Sequence, residues 1–138
     1  MNIQLSKRER LSSRKQIEML FGSGSQSMAA YPLRVVYINK VRAQGETPVQ
    51  ILVSVPKRHF KHAVDRNRVK RQVREAYRLN KQVLYDVLEP TQQLHVAFVW
   101  LADDHHPSKL VERRVVNLMR RVAEKVKSEE EEVRNKKQ

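Results

Sequence analysis

The stretch Lys57-Arg58-His59-Phe60-Lys61-His62-Ala63-Val64-Asp65-Arg66-Asn67-Arg68-Val69-Lys70-Arg71-Gln72-Val73-Arg74-Glu75-Ala76-Tyr77-Arg78-Leu79-Asn80-Lys81 decides the fold. Ten Lys or Arg stand against two acidic residues, which leaves +8 of the chain's total +13 in this one segment. Apolar residues thread through it with helical spacing: Val69, Val73, Ala76 and Tyr77, followed by Leu84 and Leu88. Recurrence every three or four positions marks one buried helical face. At about 100° per residue, Asn67, Lys70, Arg71, Arg74, Arg78 and Lys81 fall on the opposite side. The spacing therefore predicts a single helix, beginning near His62 to Asp65 and running to about Glu89, where Pro90 stops it. One side is an apolar keel and the other a cationic ridge.

A merely solvated helix mixes charge signs along its exposed face, because opposite charges at i,i+4 gain a few tenths of a kcal/mol. Here Glu75 alone interrupts the positive side, so the cations repel one another until a polyanion arrives. A phosphate backbone fits better than a membrane surface, since the buried face lacks the bulky Trp, Phe and Leu side of an interfacial helix.

Outward from this helix, Val49, Ile51, Val53 and Val55 alternate with Gln50, Leu52 and Ser54, a strand running to Pro56. Leu33 to Asn39 alternates Leu33, Val35 and Tyr37 with Arg34, Val36 and Ile38, a strand covered in part on both faces. Gly45 and Pro48 mark a turn between them, and an antiparallel hairpin is the simplest pairing. Leu94 to Leu101 is nearly all apolar and reads as a central strand. Residues 1–12 read as extended. Ser13 with Gln16 forms a capping-box pattern for a short helix through Phe21, stopped by Gly22-Ser23-Gly24-Ser25, and the segment to Ala30 reads as loop. After Pro107 a last helix buries Leu110, Val111, Val115, Leu118, Met119, Val122 and Val126 and exposes Arg113, Arg114, Arg120 and Arg121.

The expected fold is an α/β sandwich of the α+β class, with a small mixed sheet of about four strands, an N-terminal helix, a basic crossover helix and a C-terminal helix. A chain of 138 residues supports one domain, placed at 1–126, with a charged tail at 127–138 expected to fray. The absence of cysteine excludes disulfides and thiolate metal sites. With no apolar signal core and no long apolar run, the chain is expected to be soluble and cytoplasmic.

Catalytic constellations are sparse. Asp103-Asp104-His105-His106 offers four adjacent ligands for a divalent cation, but neighbours in a turn rarely converge on one ion, and a solvated turn explains them as well. His59 and His62 sit among cations and suit phosphate better than metal. No phosphate-cradling glycine loop, Ser/His/Asp set or carboxylate pair can be assembled. Phe21, Tyr37 and Trp100 are either core residues or ring faces offered to unpaired bases.

The pattern Arg66-Asn67-Arg68-x-Lys70-Arg71-x-x-Arg74-Glu75, preceded by Val53-Ser54-Val55-Pro56-Lys57-Arg58 and Ala63-Val64, resembles the signature of the bacterial ribonuclease P protein subunit. The similarity runs from about Lys7 to about Ala123. It implies a left-handed crossover through the basic helix. It also implies a large catalytic RNA as partner, which binds the Mg²⁺ and performs the hydrolysis, so the protein alone has no catalytic residues, metal site or cofactor. The protein would bind that RNA and guide the 5′ leader of precursor tRNA along a groove between the first helix and the sheet. Arg66, Asn67, Arg68, Lys70, Arg71 and Arg74 match the family's RNA-contacting helix. Together with Lys57, Arg58, Lys61 and Arg78 of the ridge, they form the expected RNA-binding set. Phe21, Val35 and Tyr37 match leader-facing positions, and Ile17 stands where many members carry an aromatic. The competing readings are a ribosome-associated or general RNA-binding protein, which needs no leader groove, and a metal nuclease at Asp103 to His106.

Overall fold

The structure, a computed structural model, describes residues 5–136. Its organising element is the most apolar strand, β4 (Gln92–Trp100), in which Gln93 to Phe98 are all buried. A strand buried on both faces needs a hydrogen-bonded neighbour on each side. It finds β2 (Leu33–Val41) antiparallel on one side, with Leu33 opposite Trp100 and Val41 opposite Gln92. On the other lies β3 (Val49–Ser54), parallel, with Val49 opposite Leu94. The expected β2–β3 hairpin is therefore replaced: β4 inserts between the two strands, and the sheet order is β1-β2-β4-β3.

β1 (Gln26–Ala30) corrects the expectation of a loop in this region. Its sequence, Gln-Ser-Met-Ala-Ala, has no β-branched residue and no polar–apolar alternation, so nothing local signals a strand. Pairing with β2 makes it one, at an edge where little burial is required.

α1 (Arg14–Leu20) starts at Ser13, whose hydroxyl accepts from the Gln16 backbone N–H at 3.4 Å. α2 (Ala63–Asn80) carries the keel as expected, with Val69, Val73, Ala76 and Tyr77 all buried. It is shorter than its periodicity predicts. Asn80 Nδ2 donates to the Ala76 carbonyl at 2.8 Å, a side-chain bond that competes with the helix ladder, and the chain turns at Lys81 into the short α3 (Gln82–Tyr85). α4 (Ser108–Lys136) continues through the segment expected to fray. Glu and Arg favour helix intrinsically, and two contacts hold this end: Gln26 Nε2 donates to Glu129 at 2.8 Å, and Arg134 pairs with Glu89 at 2.6 Å.

The sheet separates two cores. Leu33, Val35, Tyr37, Ile51, Val53, Val96, Phe98 and Trp100 face α2, α3 and α4. Leu11, Leu20, Val36 and Ala97, with Ile17, Ile38 and Leu52 against them, form a smaller cluster under α1. Trp100 is thus core, fully buried, with its ring edge-on to His106 at 5.6 Å. The free side of β3 is covered by the N-terminal segment: Arg10 bridges Ile51 in parallel, and Leu11 N–H donates to the Ile51 carbonyl at 2.8 Å. At the other edge, Arg121 Nη1 donates to Ala29 O at 2.9 Å and Arg114 Nε to Tyr31 O at 3.0 Å.

Trp100→Ala should cost about 3–5 kcal/mol in urea unfolding, while Val41→Ala, at a fully solvated position, should stay within about 0.5 kcal/mol. His95 is buried on the α1 face, 3.1 Å from Gln93 Oε1. Burial, and then the nearby Lys40, push its pKa from 6.5 down to about 4. The unfolded chain takes up a proton near pH 6.5 that the folded chain refuses until about pH 4, so stability falls as pH drops through that window. The loss should approach roughly 3 kcal/mol at the low end, and His95→Gln should flatten that part of the stability–pH curve.

Candidate nucleic-acid interface

The ridge forms because the keel leaves it no alternative. With Val69, Val73, Ala76 and Tyr77 turned to the core, Asn67, Arg68 and Arg71 are exposed and Lys70 and Arg74 stand half-buried at the flank. Among the described residues, none of Arg68, Lys70, Arg71 and Arg74 lies within ion-pair distance of a carboxylate. Arg78 is different: its Nη2 sits 2.6 Å from Glu75 Oε1 and its Nε donates to Glu75 Oε2 at 3.0 Å, so much of its charge is spent within the helix. Arg66 turns back and donates through Nη1 to the carbonyls of Phe60 (2.8 Å) and Lys61 (2.9 Å), which joins the ridge to the loop before it.

Burial, and then the like charge of Arg10, draw Arg74 below its ordinary pKa. Two guanidinium groups thus share a neighbourhood, and a bound phosphate would relieve their repulsion. Arg10 was not among the expected contacts. It lies in a segment that reads as merely polar, and only the Arg10–Ile51 bridge carries it to α2.

The loop carrying Lys57, Arg58 and Lys61, all exposed, leaves β3 at the end of the sheet where the parallel β4 also ends, and the turn after β4 clamps it. His59 Nδ1 lies 2.7 Å from Asp103 Oδ1, and His105 Nε2 lies 3.1 Å from Asp65 Oδ1. The His105 ring stacks on Phe60 at 4.6 Å between centroids, and Gln72 Nε2 donates to the His106 carbonyl at 3.1 Å and to Ser108 Oγ at 3.0 Å. Two of the four candidate metal ligands are therefore engaged in separate carboxylate–imidazole pairs. Among the described residues, no three His, Asp or Glu side chains converge where one cation could sit. That geometry does not fit a divalent-ion site.

A second ridge support is electrostatic. Burial by itself raises the Glu9 pKa, but the Lys81 ammonium at 2.6 Å and the Ser6 backbone and hydroxyl outweigh it and hold the carboxyl below its ordinary value. The pair ties the N-terminal 3₁₀ turn (Lys7–Glu9) to the end of α2.

Beyond the row of Ile38, His95 and Gln50, the sheet face beneath α1 carries two further cross-strand rows. Ser27, Val36, Ala97 and Leu52 stand in one, and Ala29, Arg34, Val99 and Ser54 in the next. α1 covers the first row through Leu20 and Ile17. The second stays open as a strip beside the helix, with Arg34 exposed and its Nε donating to Ser27 Oγ at 2.7 Å. Phe21 closes α1 and is 46 % exposed.

Two of the four expected groove residues do not belong to this face. Val35 and Tyr37 are buried in the opposite core, and the Tyr37 hydroxyl donates to Gln26 Oε1 at 2.7 Å. Burial, and then Glu129, push the Tyr37 pKa up to about 12. Side chains alternate along a strand, so choosing odd rather than even positions of β2 moves the whole set to the wrong side. Arg34, Val36 and Ile38 occupy the α1 side instead. Both faces of β2 carry apolar residues, and its own pattern gives no sign of which one α1 covers.

These placements set distinct expectations for stability. Arg66→Ala should cost about 1–2 kcal/mol, because two carbonyls lose a charged donor, while Arg68→Ala and Arg71→Ala should each stay within about 0.5 kcal/mol in urea unfolding.

Among the described residues no helix is long and apolar enough to cross a membrane. The Ribonuclease P family profile matches residues 5–123. The ribonuclease P protein component of Porphyromonas gingivalis strain W83 is 46% identical over 128 residues, covering 90% of each chain. That of Chlorobium phaeobacteroides is 39% identical over 88 residues, covering 62% of this chain and 59% of its own. Among solved structures, the fold is similar to the RNase P protein of Thermotoga maritima (TM-score 0.63, 23% identity, 82% of this chain and 96% of that one). It is also similar to that of Staphylococcus aureus (TM-score 0.61, 18% identity, 83% and 94%). A helix whose unpaired cations face solvent, set in this sheet order and matched along 5–123, leads to one conclusion: the chain belongs to the Ribonuclease P family, as the protein component of an endoribonuclease whose catalytic activity lies in its RNA.

Proposed function

We propose that the protein holds the catalytic RNA with the α2 ridge and receives the 5′ leader of precursor tRNA on the open strip beside α1, raising substrate affinity without entering the chemistry. The observation that carries this reading is the run Arg68, Lys70, Arg71 and Arg74, four cations on one helix face with no carboxylate partner among the described residues. Guanidinium groups match phosphate oxygens in pairs, and Asn67 offers both a donor and an acceptor. Arg66 aligns the preceding loop so that Lys57, Arg58 and Lys61 extend the same surface.

The strip suits a single strand of varied sequence. Arg34 supplies a phosphate contact, and Ala29, Val99 and the half-exposed Phe21 supply apolar contact that ignores base identity. In this reading the Mg²⁺ needed for hydrolysis is held by the RNA, and the complex works in the cytoplasm.

The direct test adds the pure protein to a bacterial ribonuclease P RNA at low Mg²⁺. Precursor cleavage should be restored by the mixture and absent from protein alone; cleavage by protein alone would overturn the division of labour. If five or six phosphates engage the ridge, log affinity should fall with log salt at a slope of about −4, taking ~0.7 per phosphate. Phe21→Ala with Arg34→Ala should weaken precursor binding about tenfold while sparing mature tRNA, given roughly 1–3 kcal/mol per stacked base. Tyr37→Phe, on the other side of the sheet, should leave that preference intact. A preference lost with Tyr37→Phe and kept with the double variant would refute the strip.

A further inference from the structure

We propose that the outer face of α4 is a second RNA surface, shaped for the phosphate backbone of a double-helical arm of the RNA that α2 holds. This rests on the RNA-binding reading of the protein, but not on the leader strip.

Lys109, Arg113, Asn117 and Arg120 recur at helical spacing along α4 and are all exposed. At about 100° per residue they fall within a narrow arc on the side away from Val111, Val115, Leu118 and Val122. Glu112 is the acidic residue nearest the row in sequence, yet neither it nor any other described carboxylate lies within ion-pair distance of Lys109, Arg113 or Arg120. The row borders an open trough of about 710 Å³ that reaches Asn80 at the end of α2. An exposed face with no function would be expected to neutralise itself through pairs along the helix, as Arg78 and Glu75 do on α2.

This face is not an extension of the α2 ridge. Arg114 and Arg121 donate to carbonyls of Tyr31 and Ala29, which fixes α4 over the β1 edge of the sheet. The ridge lies toward the β3 edge, where Arg74 neighbours Arg10. β1 and β3 are the two outermost strands, separated by about 14 Å at the usual ~4.8 Å per strand interval. The two rows therefore stand on different helices that lean toward different edges of the sheet, so one protein can grip two RNA segments.

The chemistry of the row selects a duplex. It contains no aromatic ring on which a splayed base could stack, and single-strand readers depend on such rings. Duplex RNA is held through phosphates and 2′-hydroxyls. Lys109 and Arg113 are about 6 Å apart along the axis, and Arg113 and Arg120 about 10.5 Å, at ~1.5 Å rise per residue. These rigid intervals suit a regular backbone better than a flexible one. Asn117, between them, offers both a donor and an acceptor to a 2′-hydroxyl.

The test uses the full chain and a labelled RNA duplex of about 16 bp and arbitrary sequence, the length two successive minor grooves occupy, read by fluorescence anisotropy across a salt series. It is run in the parent and in an Arg68→Ala, Arg71→Ala background. Lys109→Gln, Arg113→Gln and Arg120→Gln together should lower duplex affinity about tenfold in both and flatten the log–log salt slope by about two, at roughly 0.7–0.9 per lost contact. Glu112→Gln should tighten binding, a gain that misfolding cannot produce. Unchanged affinity and slope in the triple variant would overturn the proposal, and an equal loss for single-stranded oligouridylate would overturn the assignment to a duplex. If the α2 substitutions leave RNA affinity unchanged while the α4 substitutions lower it, the ridge reading fails and the α4 surface stands.

Discussion

The structure depends on the burial of one side of α2. Val69, Val73, Ala76 and Tyr77 each bring on the order of 1.5–3 kcal/mol of transfer free energy to the core, alanine less, and together they outweigh the repulsion among the cations they force outward. No rotation of the helix relieves that repulsion without exposing the keel. The charge pattern is therefore a consequence of packing: the core fixes the angle at which the guanidinium groups point, so the cationic surface is aligned before any partner arrives. The contacts of Asp103 with His59 and of His105 with Phe60 extend the same rigidity to the loop before α2.

Elements governed by local pattern were legible in the sequence. The keel and ridge of α2, the capped α1, the alternation of β2 and β3, the central place of β4 and the buried stripe of α4 all follow from periodicity over short windows. Partner choice was not. β2 and β3 look like a hairpin because they are consecutive, yet the apolar β4 requires two neighbours and takes both. β1 carries no strand signal because pairing with β2, not its own side chains, makes it a strand. The end of α4 reads as a charged tail until Gln26 and Glu89, far away in sequence, supply its contacts.

The site divides along the same line. Ridge positions were legible because a helix face can be computed from spacing alone; the structure adds that Arg78 and Lys81 are paired with Glu75 and Glu9 and that Arg66 is turned inward. The strip was half legible. Ile17 and Phe21 belong to α1, but the matching positions on β2 depend on which face α1 covers, and the strand is apolar on both. Arg10 escaped because its neighbour Arg74 lies far along the chain and no local pattern joins them.

The central position of β4 also bears on how the chain is made. During synthesis, β1 and β2 can pair as soon as both have emerged, but β3 has no partner strand, and α1 no complete floor, until Trp100 has left the ribosome. The parallel contact between the N-terminal segment and Ile51 joins residues far apart in sequence, which slows closure further. For that interval the nascent chain shows an unpaired strand and a bare cationic helix inside a cell rich in RNA.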